Sequence, residues 1–385
     1  MTFTDVSGGA VVGGHVLAPG ADRPTPGAVV WSGSTISTVS DGADITPTSR
    51  LVDATDAWVL PGIVDLHGDA FERSLMPRAG VRVDLDVAFA DNDVQLLAAG
   101  ITTSFLAATD SWEPGLRSRA TVRELIAALR RRRRTPRVEL HVRHERCNTE
   151  DADELEEWIR TGAVGLLSFN DHTPGGIATV TGLTREQIER SGVDEATLEE
   201  LLASAIDRRP TGLEQEPRLA AAAADAGCAT ASHDSHDDGN LRRDVELGVA
   251  IAEFPTSIEL AHRYRRAGID VSLGAPNLVR GGSHLGHMSV RDAVADGAGS
   301  LLCSDYHYPS LLHAPFVMSR LGLGSFGAAW TTVSEAPARA VGMADRGRLE
   351  PGAQADVVVV EPADDHTPAR VRAVVVAGVV AYHAP

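Results

Sequence analysis

Leu60-Pro61-Gly62-Ile63-Val64-Asp65-Leu66-His67-Gly68-Asp69 decides how the rest of the 385-residue chain is read. An apolar run of strand length follows a Pro-Gly break and ends in an imidazole and a carboxylate two residues apart. Strand residues two apart face the same side, so His67 and Asp69 are expected to point together from the strand's carboxyl end. Similar apolar runs recur at Ile101–Ala107, Val138–Val142, Val164–Phe169, Cys228–Ala231, Val249–Ala252, Val271–Leu273 and Leu301–Cys303. Helical patterns separate them, at Asp84–Ala99, Thr121–Arg134, Ala152–Thr161, Ala196–Arg208, Ile258–Ala267 and Val290–Ala295. Eight strands in βα alternation predict an α/β fold closed as a parallel (β/α)8 TIM barrel, in preference to an open doubly wound sheet.

The flanks have another texture. Residues 1–60 are rich in Gly, Val, Thr and Ser and read as short strands at Gly9–Leu17, Ala28–Trp31, Thr35–Val39 and Leu51–Val52. The tail repeats this, with a turn at Gly347–Pro351, a strand at Asp356–Glu361 and two strands around Gly378 within Val371–Tyr382. Both termini are therefore expected to build one small β-sandwich. Residues 1–60 and 346–385 would form it, and residues 61–345 the barrel.

Hydrophobic residues make up 43% of the chain and charged residues 23%, the balance of a folded globular protein. The net charge of −18 excludes broad binding to nucleic acid or to an anionic membrane surface, since nothing neutralises the phosphates. It leaves room for a small anionic substrate held by local arginines and metal ions. The run Arg130–Arg134 reads as a solvated helix C-terminus, where cations meet the helix dipole favourably. Three cysteines are too few for a disulfide scaffold. The first twenty residues hold no Lys or Arg, and no apolar run nears the ~18 residues of a membrane helix, so a cytoplasmic protein is expected. Homo-oligomerisation is left open.

Acid and imidazole side chains follow strand after strand. The third strand ends in His141-Val142-Arg143-His144-Glu145, with His141, Arg143 and Glu145 on one face. The fourth ends in Asn170-Asp171-His172, the fifth in Ser232-His233-Asp234 and the eighth in Ser304-Asp305-Tyr306. These are the ends from which barrel enzymes draw catalytic residues. Imidazole nitrogens and carboxylate oxygens suit a divalent metal, one or two ions per chain, zinc first, with manganese or iron as alternatives. Any one of these motifs is ordinary; their repetition at strand ends points to a metal centre. His236-Asp237-Asp238 reads as a solvated loop.

The stretch 60–69, together with Gly347–Asp356, resembles the entry and return of the amidohydrolase superfamily. Leu75–Val81, Asn170–Gly175, Ala231–Asp234, Glu253–Thr256, Gly274–His284 and Ser304–Leu312 resemble the diphosphatase family of the carbon–phosphorus lyase pathway. That family hydrolyses α-D-ribose 1-methylphosphonate 5-triphosphate to the 5-phosphate and diphosphate. The resemblance implies that His67 and Asp69 bind the more buried metal and that Glu145 is the third-strand or bridging carboxylate. It further implies that His172 and His233 bind the second metal, and that Asp305 binds metal and accepts the proton of the attacking water. Many superfamily members bridge their metals with a carboxylated lysine, and this chain has no lysine. The family reads Arg-Cys-Glu where Arg143-His144-Glu145 stands, and Gln-Arg-Gln where Gly176-Ile177-Ala178 stands.

The expected function is metal-dependent hydrolysis of a ribose triphosphate phosphonate, a step of phosphonate metabolism. Asp305 would be the general base, and His233 would stabilise the developing oxyanion. Arg143, Arg280, the amides of Gly281 and Gly282, His284, Arg78 and Arg73 are the expected substrate-binding groups. The rivals are hydrolysis of an amide or cyclic amide, or deamination, at the same metal site, and a non-catalytic binding protein on the same barrel.

Overall fold

The computed structural model describes residues 8–41, 50–132, 135–177, 182–282, 288–364 and 366–384. Its centre is an eight-stranded parallel sheet in sequence order: β1 (Ile63–Gly68), β2 (Ile101–Asp110), β3 (Arg137–Glu145), β4 (Leu166–Asn170), β5 (Ala229–His233), β6 (Ile251–Glu253), β7 (Asp270–Gly274) and β8 (Leu301–Cys303). Every residue of β1 and β2 is buried, as expected of strands covered on both faces. The ring closes just beyond β8. Gly68 and Asp305 form a parallel bridge, the Asp305 amide donates to His67 O at 2.8 Å, and the Asp69 amide donates to Asp305 O at 3.0 Å. A Cβ on Gly68 would lie 2.7 Å from both Asp65 Oδ2 and the Tyr308 ring, so the closure admits only glycine. The expected (β/α)8 barrel is the observed fold.

The terminal segments form a second sheet of eight strands, with Trp58–Pro61 at the join between them. This strand pairs antiparallel with Val357–Glu361, Val59 opposite Val359, and parallel with Gly9–Val16. Trp31, Ile36, Val59, Val357, Val359 and Val375 form a core separate from the barrel's. Buried Arg346 ties the two bodies together. Its Nη1 donates to Thr103 Oγ1 of β2 at 3.0 Å and its Nη2 to Gln354 Oε1 at 2.6 Å. Gly347 has φ +81, and a Cβ there would meet the Ser334 and Glu335 backbone at 2.7 Å.

Helix Arg209–Ala226 was not legible from periodicity, because Ala220–Ala224 and Pro217 blur its amphipathic stripe. Helix Arg119–Arg131 ends as the charge argument expects: Arg131 Nη1 donates to Ala127 O at 2.9 Å. Arg132 departs from the solvated reading by pairing with Asp93, while Arg133 and Arg134 lie outside the described residues. Among the described residues, no helix is long and apolar enough to cross a membrane.

Candidate metal centre

The carboxyl ends of the barrel strands enclose a cavity of about 330 Å³. His67, Asp69, Arg143, His172, His233 and Asp305 all line it, brought from five different strand ends, and Asp234 joins them. Four imidazoles form a row from the barrel interior outward. Ring centroids are 5.1 Å apart from His141 to His67, 5.3 Å from His67 to His233, and 5.2 Å from His233 to His172.

The deep end of the row is His67, His141 and Glu253, all buried. His67 Nδ1 lies 2.9 Å from Glu253 Oε1, the carboxylate–imidazole pairing that orients metal-binding histidines and leaves Nε2 for the ion. His141 Nδ1 lies 3.0 Å from the Leu66 carbonyl. Its Nε2 faces Glu253 Oε2 at 3.8 Å, and neither atom has a hydrogen-bond partner among the described residues. Two orphaned buried polar atoms are costly unless something else satisfies them. The outer end is His172, His233 and Asp234. In each trio the donor atoms lie within 4.8 Å of one another, so both fit a divalent cation, and the nitrogen–oxygen donor set suits zinc, manganese or iron.

Burial, and then Arg143, hold His67 well below the ordinary imidazole range, and burial brings His141 to about 3. His233 is lowered too, chiefly by burial. These rings are neutral, the state that ligates metal. His172 differs. Burial opposes its charged form, but Glu145 outweighs it and raises His172 to about 9. Glu145 Oε1 lies 2.5 Å from His172 Nδ1, and Oε2 accepts the His172 amide at 2.9 Å. Burial works against Glu145 as well, yet His172 carries it down to about 2. Glu145 thus stands behind His172, outside the lining of the main cavity.

Asp234 and Phe254 directly follow β5 and β6, and Asp305 lies two residues beyond β8, with φ of 55°, 55° and 52°. Aspartate enters the left-handed region readily; for phenylalanine it costs roughly 1–3 kcal/mol. Its ring sits edge-on to His67 at 5.2 Å and His233 at 5.1 Å. Burial, and then the Asp69 carboxylate, push Asp305 up to about 7.

The expected anion-binding groups beyond the first strand and after the seventh do not reach this cavity. Arg73 and Arg78 are exposed, and Arg73 donates to the Tyr306 carbonyl. Arg280, Gly281 and Gly282 end a short helix, Ala275–Arg280. Both glycine amides donate to Asn277 O, at 3.0 and 3.2 Å, so they are spent as a helix cap. His284 lies outside the described residues. Sequence reasoning passed over Asp234, His141 and Glu253 as ligands, although each lies on or directly beyond a barrel strand. The two-residue rule that selected His67 also covers His141, four residues before Glu145. Arg117, seven residues beyond β2, carried no local signal.

Residues 311–382 match the model of the amidohydrolase family. The alpha-D-ribose 1-methylphosphonate 5-triphosphate diphosphatase of Escherichia coli (strain K12) is 31% identical over 343 residues, 83% of this chain and 88% of that protein. Among solved structures, a Xaa-Pro dipeptidase with bound methionine superposes with a TM-score of 0.67 at 15% identity, covering 98% of this chain and 100% of that one. A molinate hydrolase gives 0.62 at 15% identity, covering 97% of this chain and 94% of its own. The dihydropyrimidinase from Brevibacillus agri NCHU1002 gives 0.58 at 14%, again covering 97% and 94%. At such identities the structures speak for the barrel alone. The 31% relative reaches further: the chain is a metal-dependent hydrolase of the amidohydrolase superfamily and belongs to its alpha-D-ribose 1-methylphosphonate 5-triphosphate diphosphatase family.

Proposed function

We propose that this hydrolase splits the phosphoanhydride between the α- and β-phosphates of a ribose 5-triphosphate bearing a phosphonate at C1, releasing diphosphate. The observation that carries the reading is Arg143. Its buried guanidinium lies among the ligand trios, with Nη2 3.2 Å from His233 Nε2 and Nη1 3.9 Å from Asp69 Oδ2. Arg117 lines the same cavity. Fixed guanidiniums beside metal ligands suit a polyphosphate far better than a neutral amide.

A divalent cation, zinc first, would supply Lewis acidity and bring the pKa of water towards ~7. Each trio would hold one such ion, His67, His141 and Glu253 the deeper and His172, His233 and Asp234 the outer, with Asp69 and Asp305 as the nearby carboxylates. Asp305, raised to about 7, accepts the proton of the attacking water. The water oxygen bonds to the α-phosphorus as the bond to the bridging oxygen breaks, and that oxygen leaves with diphosphate and the electron pair. Arg143 offsets the charge that develops. Phe254, Pro255, Leu273, Met288 and Val290 form an apolar wall that packs the sugar and excludes water. In this reading the substrate is a soluble small anion met in the cytoplasm.

The same apolar wall favours a second reading, hydrolysis of an amide or cyclic amide. The test is a panel on metal-reconstituted protein: the ribose triphosphate phosphonate, assayed for diphosphate, beside amides, cyclic amides and deaminase substrates. Fast diphosphate release that chelation abolishes is the expected result. Turnover of a cyclic amide with no diphosphate release from the triphosphate would replace the first reading by the second.

A further inference from the structure

Arg117, Arg143 and His172 line the main cavity and also a second, smaller one of about 200 Å³. That is below the ~300–1,000 Å³ of pockets that hold whole ligands, and fits one end of a ligand. The far wall comes from the end of β2 and from helix Arg185–Ser191, which contributes Gln187 and Arg190.

Three guanidiniums therefore converge on this annex, two of them fixed by carboxylate forks. Arg117 Nε and Nη2 donate to Glu72 at 2.9 and 2.8 Å. Arg190 Nε and Nη2 donate to Glu113 at 3.0 and 3.1 Å. A guanidinium held in this way loses little further freedom when it meets an anion. The annex also has acidic neighbours, Glu113 and Glu145. Glu113 is occupied by Arg190 and by Gln187 Nε2 at 3.2 Å, and Glu145 by His172. Among the described residues, two buried donors here remain without a partner. Thr109 is 6% exposed and its Oγ1 is unpaired; Arg143 is 6% exposed and its Nε is unpaired.

We infer that the annex binds the leaving diphosphate of the substrate, so that the polyphosphate points towards Arg190 and the sugar lies on the apolar wall of the main cavity. The assignment rests on the proposed phosphoanhydride reaction and adds the direction in which the substrate lies. The charge distribution decides the direction. The triphosphate end carries most of the substrate's negative charge, and the annex adds a third guanidinium where the opposite wall is apolar. Thr109 Oγ1 donates to a phosphate oxygen and so gains the partner it otherwise lacks.

The test measures binding of inorganic diphosphate and of methylphosphonate to the zinc-loaded protein by calorimetry, for the wild type, Thr109→Val and Arg190→Gln. Thr109→Val is nearly isosteric and removes an unpaired buried hydroxyl, so its melting temperature should hold or rise. Its diphosphate affinity should fall about 10-fold, and that of Arg190→Gln roughly 10- to 100-fold, with methylphosphonate binding changed less than about 2-fold. Unchanged diphosphate affinity in Thr109→Val would overturn the assignment even if Arg190→Gln fails to fold. Loss of methylphosphonate affinity with diphosphate affinity intact would reverse the orientation and equally overturn it. Binding is read without turnover. Protein that binds diphosphate through the annex yet releases none from the triphosphate would sink the proposed reaction and leave the annex standing.

Discussion

Two buried polar clusters draw on β3 side chains three residues apart, His144 for one and His141 for the other, and they are built on opposite terms. In one, the Asp110 carboxylate accepts Arg119 Nε at 2.8 Å and Nη2 at 2.6 Å and Asn148 Nδ2 at 2.8 Å, and lies 2.8 Å from His144 Nδ1. Its bonding capacity is filled by the protein. In the other, His67, His141 and Glu253 meet, and His141 Nε2 and Glu253 Oε2 are left with nothing. The first cluster holds the β2 and β3 ends in place. The second is incomplete without a ligand. Counting hydrogen bonds, more than counting charged residues, separates architecture from chemistry here.

The largest effect should come from breaking the incomplete cluster. His67→Ala is expected to lower metal content and diphosphate release together, the latter by about 1,000-fold or more. The chelated variant should melt below the chelated wild type, because the lost ring leaves Glu253 Oε1 without its His67 Nδ1 partner. A variant that keeps full zinc content and rate would break the contrast. Asp305→Asn should come next, costing ~100- to 10,000-fold in kcat with the far-UV spectrum unchanged. Full turnover by that variant would remove the general base.

The satisfied cluster predicts the reverse pattern. Asp110→Asn should cost roughly 3–5 kcal/mol of stability, read from urea midpoints, with little loss of bound metal. Burial pushes the Asp110 pKa up, but His144 and Arg119 outweigh it and bring it to about 2, below the ordinary 3.8. A depressed carboxylate stabilises the fold above its unfolded pKa and loses that contribution as pH falls. The stability gap between wild type and Asp110→Asn should therefore be full above about pH 4 and close towards pH 2. A gap that widens on acidification would mean that the carboxylate is not the ionised partner. The smallest effect expected is in Glu253→Gln, which keeps the shape beside His67 and weakens zinc affinity by about 10- to 100-fold.

Much of this was legible in the chain. The eight parallel strands follow from apolar runs in βα alternation, and Leu301–Cys303 lies where it was read. His67, Asp69, Arg143, His172, His233 and Asp305 share a cavity because strand ends of a closed barrel must share a rim. What sequence could not supply was long-range pairing. Arg280-Gly281-Gly282 looks like an anion loop until Asn277 O is seen to take both amides. Glu145, expected from its strand position as a carboxylate ligand, has both oxygens against His172, a pairing no local motif announces. Arg117 and Arg190 come from a single 3-10 turn and a helix with no motif, and only the packing of Glu72 and Glu113 aims them.

Anomalous diffraction from crystals of the zinc-loaded protein tests the central claim most directly. The expected map has a peak ~2.0–2.3 Å from the side chains of His67 or His233, within the row of imidazoles. An active, zinc-loaded enzyme whose anomalous peak lies away from all of His67, His141, His172, His233 and Glu253 would contradict the account.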